Sequence, residues 1–168
     1  MKLMKRIGLT LMISLTALFG GETLQVGDKA PDFNLMGDDS VNHQLTDYRG
    51  KIVVVYFYPK DDTPGCTKEA CAFRDQYSEF EKLGVPVLGI SYDGRDSHIA
   101  FKKKYDLPFT LLTDADKSVS AAYGVQGMFS ASRETFIVGK DGKIVKIYPQ
   151  VSVSEHAGEI LKDLAEMK

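Results

Sequence analysis

The spacing of hydrophobic residues differs from one part of the chain to the next, and these spacings predict the strands and helices. Residues 52–58 form an unbroken β-branched and aromatic run, which is typical of a strand buried on both faces of a sheet. Four apolar residues then recur at spacings of three and four and predict a helix with one apolar stripe: Ala70, Phe73, Tyr77 and Phe80. Gly84 ends that pattern before a second buried strand at 86–91. A strand, a helix and a strand in this order indicate a parallel pair.

Shorter patterns flank this unit. Two alternating segments at 33–35 and 41–45, separated by Gly-Asp-Asp, predict an N-terminal hairpin. After the second strand we expect a helix capped by Asp96 or Ser97, which buries Ile99, Phe101 or Tyr105. A strand at 109–112 and a helical turn follow, and Asp114 and Gly124 are the expected cap and stop of that turn.

The last third of the chain predicts a second hairpin and a final helix. Segments 134–138 and 143–148 flank an Asp-Gly turn, which is typical of antiparallel strands. Ser154 is the expected cap of a helix whose Ile160, Leu161 and Leu164 face inward. The whole order predicts an α/β domain over residues 22–168, with a mixed central sheet, helices on both faces and an N-terminal β-hairpin.

The N-terminus has a different character. Lys2, Lys5 and Arg6 precede a largely apolar run at 7–19, and two small residues follow at Gly20 and Gly21. This pattern predicts a secretory signal peptide over residues 1–21, and hence an exported, periplasmic or equivalent protein with no stable membrane contact after removal of the leader. An uncleaved membrane anchor is the less favoured alternative, because the run is short for a membrane span.

Composition narrows the function classes. The formal net charge is −2 and no Lys/Arg block occurs, so the sequence favours no nucleic-acid partner. The three histidines are scattered, none pairs at metal-ligand spacing, and we interpret all of them as surface residues. No metal or other cofactor is expected. Glu69, Arg74 and Asp75 are interpreted as the solvated or ion-paired flank of a helix.

The two cysteines carry the chemistry. Cys66 lies four residues before Ala70, just after Thr63-Pro64-Gly65, so the stripe places it inward in the first helical turn. The free N–H groups and the positive dipole there favour the thiolate, which is the reactive form. Cys71 lies on the polar side, roughly 8 to 9 Å from Cys66 in a regular helix, beyond disulfide reach.

Residues 57–71, with the sequence FYPKDDTPGCTKEAC, resemble the active-site segment of the Q-type, or bacterioferritin-comigratory, peroxiredoxins. The resemblance extends from residue 26 to residue 138. It implies a thioredoxin-like fold and a thiol peroxidase that reduces hydrogen peroxide and organic hydroperoxides. Cys66 would become a sulfenic acid, Cys71 would resolve it as a Cys66–Cys71 disulfide, and a thioredoxin-like dithiol donor would reduce that disulfide.

The same resemblance assigns further site residues. It implies that the hydroxyl of Thr63 and the backbone N–H of Cys66 hold the peroxide, and that Pro64 shields the thiolate from water. Arg133, directly before Glu-Thr-Phe, would stabilise the thiolate and orient peroxide. Related proteins are often monomers, so a monomer is expected.

Two rivals remain open on the residues alone. An exported thiol–disulfide oxidoreductase generally uses Cys-x-x-Cys, and a copper-binding chaperone on the same fold would use its two thiols and a histidine as soft ligands. The Cys-x-x-Cys spacing of the first and the Cys-x-x-x-Cys spacing of the second are both absent here, where four residues separate the two cysteines. If the peroxidase cycle operates, the distance between the thiols requires the first turns, about residues 63–74, to unwind while Phe73, Tyr77 and Phe80 keep the distal helix docked.

Overall fold

A seven-stranded mixed sheet forms the centre of the computed structural model, which describes residues 23–167. The strands are β1 (Asn34–Gly37), β2 (Asn42–Gln44), β3 (Val53–Phe57), β4 (Val87–Ser91), β5 (Thr110–Thr113), β6 (Glu134–Val138) and β7 (Ile144–Tyr148). Their spatial order is β2-β1-β5-β4-β3-β6-β7, in which β3, β4 and β5 run parallel. The hairpins β1–β2 and β6–β7 are antiparallel. These pairings confirm both predicted hairpins and the predicted parallel pair.

In the described part of the chain, five α-helices cover the sheet: α1 (Pro64–Asp75), α2 (Tyr77–Leu83), α3 (Arg95–Tyr105), α4 (Ser118–Ala122) and α5 (His156–Glu166). A short 3-10 helix at Leu45–Tyr48 follows β2. Side chains of α1, α2, α3 and α5 share one buried cluster with Val54, Tyr56 and Tyr58. Val119 of α4 lies in the opposite cluster with Val53, Val55 and Phe57. The alternation of β3 therefore supplies both cores, and helices lie on both faces of the sheet as predicted.

Several boundaries differ from the predictions. The helix after Cys66 is not continuous, because α1 ends at Asp75 and α2 begins at Tyr77 around Gln76. Gly94, and neither Asp96 nor Ser97, is the N-cap of α3, where Phe101 is buried but Ile99 is exposed. The cap residue of α5 is Glu155 and not Ser154, and the N–H groups of Glu155 and His156 both donate to the carbonyl of Ser152.

The turn before α4 fits its prediction in part. The carboxylate of Asp114 accepts the N–H groups of Val119 and Ser120 at 3.2 and 2.8 Å, although Lys117 holds the cap position. Gly124 follows the helix with a positive φ of 74°. Asp114 thus satisfies the first turn of α4 from a position just before the helix.

Within residues 23–167 no helix is both long and apolar enough to span a bilayer. The predicted signal peptide lies outside the described residues.

Candidate active site

The first turn of α1 carries the predicted nucleophile. Thr63 occupies the N-cap position and Pro64 the first helical position, where the missing N–H of proline costs no hydrogen bond. Cys66 is the third residue of the helix and is only 3% exposed. Both Cys66 and Cys71 are free thiols. The structure therefore places the Cys66 sulfur inward, beside N–H groups that have no partner within the helix.

Arg133 lies against this thiol. Its Nη2 donates to the Cys66 Sγ at 3.2 Å, and its Nη1 donates to Glu69. Sheet pairing explains the contact: β6 runs antiparallel to β3 and pairs Phe57 with Glu134, so the start of β6 lies beside the end of β3. Gly65 leaves room for the guanidinium, because a Cβ there would approach Nη2 to 3.3 Å. The site thus combines a buried sulfur with a fixed cation.

Glu69 is a site residue that the sequence interpretation missed. It was expected on the solvated flank of the helix, but it is fully buried and paired with Arg133. Burial raises the pKa of Glu69 to about 7, even though the guanidinium favours its carboxylate form. The spacing could have revealed it, since Glu69 follows Cys66 by three residues and shares its face of the helix.

Thr63 and Pro64 lie where the sequence placed them, at the start of α1. The hydroxyl of Thr63 donates to the carbonyl of Lys60 at 3.0 Å. Pro64 is exposed. The hydrogen bond of Thr63 closes a turn, and Pro64 begins the helix. The roles of Thr63 in holding peroxide and of Pro64 in shielding the thiolate stay predictions.

Cys71 lies on another side of α1. It is half-buried and lines a shallow depression with Lys68, Asp75 and Ser154. Cys66, by contrast, belongs to the buried cluster beneath the helix. Since α1 is helical through both positions, the two sulfurs point in different directions.

A buried polar network holds the loop between β3 and α1. The carboxylate of Asp61 accepts hydrogen bonds from Tyr58 at 2.7 Å and Ser97 at 2.7 Å, and contacts His98 Nδ1 at 2.9 Å. The next residue, Asp62, has a positive φ of 55° and bonds Lys104 of α3. The loop that precedes Cys66 is therefore fixed to α3 by its side chains.

Two histidines correct the sequence interpretation. His98 and His156 were expected at the surface, but both are fully buried, whereas His43 is half-buried. Each lies on an apolar helical face, His98 three residues before Phe101 and His156 four before Ile160. That spacing could have indicated burial. Within residues 23–167, no three His, Cys, Asp or Glu side chains are grouped to hold a metal ion.

A buried thiol with a fixed arginine at the start of a helix, packed on a mixed sheet, is the arrangement of a thiol-dependent redox enzyme. The model of the AhpC/TSA family matches residues 26–147, and the chain belongs to that family. Peroxiredoxin Bcp of Bacillus subtilis (strain 168) is 40% identical over 153 residues, covering 86% of this chain and 98% of that protein. The chloroplastic peroxiredoxin Q of Oryza sativa subsp. japonica is 47% identical over 145 residues, covering 84% and 67%.

Solved structures agree with these relatives. The bacterioferritin comigratory protein of Xanthomonas campestris superposes with a TM-score of 0.78 at 32% identity, covering 86% of this chain and 97% of that one. Its structures were described for alkyl peroxide reduction activity. These likenesses confirm the predicted thioredoxin-like fold and the predicted peroxiredoxin resemblance. They favour a peroxidase over a thiol–disulfide oxidoreductase or a copper-binding chaperone.

Proposed function

We propose that this protein is a thiol-dependent peroxidase that reduces hydrogen peroxide and organic hydroperoxides through Cys66. The observation that carries the proposal is the hydrogen bond from Arg133 Nη2 to the Cys66 sulfur at 3.2 Å. A guanidinium at this distance stabilises the thiolate and presents a second cationic N–H to an incoming oxygen. The peroxiredoxin relatives support the same activity.

The first step is a displacement on oxygen. The Cys66 thiolate attacks one peroxide oxygen, the O–O bond breaks, and the other oxygen leaves as alcohol or water after taking up a proton. Cys66 is oxidised to the sulfenic acid and the peroxide is reduced. We assign Arg133 to stabilising the thiolate and the charge that develops on the leaving oxygen. Glu69 holds the guanidinium in that place.

The second step joins the two cysteines. The thiolate of Cys71 attacks the Cys66 sulfenic sulfur, hydroxide leaves and is protonated to water, and a Cys66–Cys71 disulfide forms. Positions five apart in a regular helix are roughly 8 to 9 Å apart at Cα, so this step requires α1 to unwind. The break at Gln76 makes α1 the unit that rearranges, because Tyr77 and Phe80 belong to α2. The sequence analysis kept Phe73 docked with Tyr77 and Phe80; because Phe73 belongs to α1, we propose instead that it moves with this helix.

A thioredoxin-like dithiol donor completes the cycle by reducing the disulfide. The depression beside Cys71 leaves this side of α1 open to such a partner.

We further propose that residues 1–21 direct the protein out of the cytoplasm, into the periplasm or an equivalent compartment. After removal of this leader, the protein would work as a monomer without stable membrane contact. The charged start and apolar run of the leader support the export.

Two serine variants test this assignment. Cys66→Ser should abolish peroxide turnover, whereas Cys71→Ser should still complete one stoichiometric oxidation of Cys66, because only Cys66 contacts Arg133. Reduced protein is mixed with excess peroxide, and oxidation is read by intact-protein mass after trapping with dimedone. Normal peroxide reduction by the Cys66→Ser protein would disprove the proposal.

A further inference from the structure

His156 occupies a closed space between the sheet and α1. It is the first residue of α5 and has no exposed surface. Its Nε2 lies 2.8 Å from the hydroxyl of Thr135 on β6. The ring of Phe73 packs edge-on against it with centroids 5.8 Å apart, and the ring of Tyr148 does so at 5.0 Å. One wall of this space is therefore a side chain of α1.

The surroundings keep the imidazole neutral. Within residues 23–167 its Nδ1 has no hydrogen-bond partner, and the nearest carboxylate oxygen, on Glu159, is 3.7 Å away and half exposed. Burial, together with the positive charge of Arg133, lowers the pKa of His156 to about 4. The contact with Glu159 is therefore not an ion pair at neutral pH.

The other facing groups do not reverse this balance. Thr135 is neutral. The Tyr148 hydroxyl donates to Asp163, and burial raises the pKa of Tyr148, so this ring also stays neutral. Apart from the half-exposed carboxylate of Glu159, the charged group that acts on the imidazole is Arg133, which opposes its protonation.

Phe73 links this histidine to the catalytic cysteines. It lies two residues beyond Cys71 and belongs to α1, the helix that unwinds if the disulfide is to form. We propose that His156 is a proton-linked latch on α1, which stays dry and neutral in the dithiol form and takes up a proton when formation of the Cys66–Cys71 disulfide withdraws Phe73. This inference rests on the disulfide step of the proposed function.

The direction of the effect follows from linkage. The pKa of His156 is about 4 in the dithiol form, where the ring is buried, and should approach the ordinary value of about 6.5 in the disulfide form, where the ring is solvated. Between those pH values, only the disulfide form has a proton bound at His156. Lowering the pH therefore raises the equilibrium ratio of disulfide to dithiol, by up to tenfold per pH unit and by about 300-fold over the whole interval. Glu69, on α1 itself, contributes the opposite sign, because burial raises its pKa in the closed form.

The direct test is a site-specific titration. Histidine ring resonances of the full-length protein are followed by NMR against pH in the dithiol and disulfide forms, and His156 is assigned by the loss of its signal in His156→Gln. We expect a pKa of about 4 in the dithiol form and a value approaching 6.5 in the disulfide form. The same titration midpoint in both forms would overturn the latch.

An equilibrium measurement isolates the contribution of His156 from that of Glu69. Protein dithiol and oxidised dithiothreitol exchange to protein disulfide and dithiothreitol, with electrons balanced and one proton bound at His156. The ratio of disulfide to dithiol in wild type, divided by that ratio in His156→Gln, should rise about tenfold for each unit of pH lost between 6.5 and 4. A constant quotient would refute the inference.

Mass spectrometry of the oxidised protein separates the two possible failures. If no Cys66–Cys71 disulfide forms, the proposed catalytic cycle fails and the latch fails with it. If the disulfide forms but His156 titrates unchanged, the peroxidase cycle stands and only the latch is wrong.

Discussion

Replacing Arg133 by methionine should separate the electrostatic part of the site from its packing. Methionine keeps an unbranched side chain about as long as the aliphatic stem of arginine, but it removes the cation that lies 3.2 Å from the Cys66 sulfur. The side chain of Arg133 is only 20% exposed, so water replaces the guanidinium poorly. A hydrogen bond to a charged group contributes about 1.5 to 3 kcal/mol. We therefore expect Cys66 oxidation by peroxide to slow about 10- to 150-fold at neutral pH.

The single variant also leaves Glu69 buried without its partner. A buried carboxylate that loses its cation is strongly destabilising, by about 3 to 5 kcal/mol, unless it takes up a proton. Burial already raises the pKa of Glu69, so protonation should relieve part of this cost. The double variant Arg133→Met/Glu69→Gln removes the unpaired carboxylate. We expect it to regain thermal stability relative to Arg133→Met while oxidising just as slowly.

Rapid quenching followed by mass spectrometry measures the oxidation rate, because the chain contains no tryptophan to report it by fluorescence. Arg95→Met is the matched control: Arg95 is also half-buried, but it hydrogen-bonds Ser40 and lies beside Asp96. That variant should oxidise at the wild-type rate. An Arg133→Met protein that reacts within about twofold of wild type would refute the electrostatic argument.

The unwinding of α1, the orienting role of Asp61 and export can each be tested separately. Amides from Cys66 to Arg74 should lose hydrogen-exchange protection in the disulfide form while those of β3 keep it, and equal protection in both forms would rule out the unwinding of α1. Asp61→Asn should slow peroxide oxidation of Cys66 about tenfold but leave alkylation by iodoacetamide nearly unchanged, because the Asp61 carboxylate orients the loop before α1; equal loss of both reactions would indicate general disruption. Residues 1 to 25 fused to a reporter that is active only outside the cytoplasm should give signal, and a silent fusion would argue against export.

Local signals predicted the type and order of most elements and the position of the nucleophile, but not the break between α1 and α2. The unbroken apolar run at 52–58 predicts β3, whose five residues are all buried. Proline and glycine directly before Cys66 predict the start of α1, since each restricts the backbone within a few residues of itself. Such signals act between neighbours in the chain, so the sequence carries them in full.

Three residues were predicted to be exposed because their side chains are polar, although their spacing along the helix predicts burial. Glu69, His98 and His156 are polar and were placed at the surface, but each lies in register with the apolar face of its helix. Pairing decides their burial: Glu69 meets Arg133, His98 meets Asp61, and His156 meets Thr135. A polar side chain can be buried when a residue from another element provides a hydrogen bond or an ion pair. The residue pattern within one helix does not identify that partner.

The sequence by itself determined the order of the elements, the inward position of Cys66 and, through resemblance, the class of chemistry. The resemblance named Arg133, but only the tertiary structure placed its guanidinium against the sulfur of Cys66, which lies 67 positions earlier in the chain, and showed that Glu69 holds it there. The physical reason is the register of β3 with β6, which pairs Phe57 with Glu134 and is set by packing on both faces of the sheet. That register depends on residues from the whole chain at once, and no single segment encodes it.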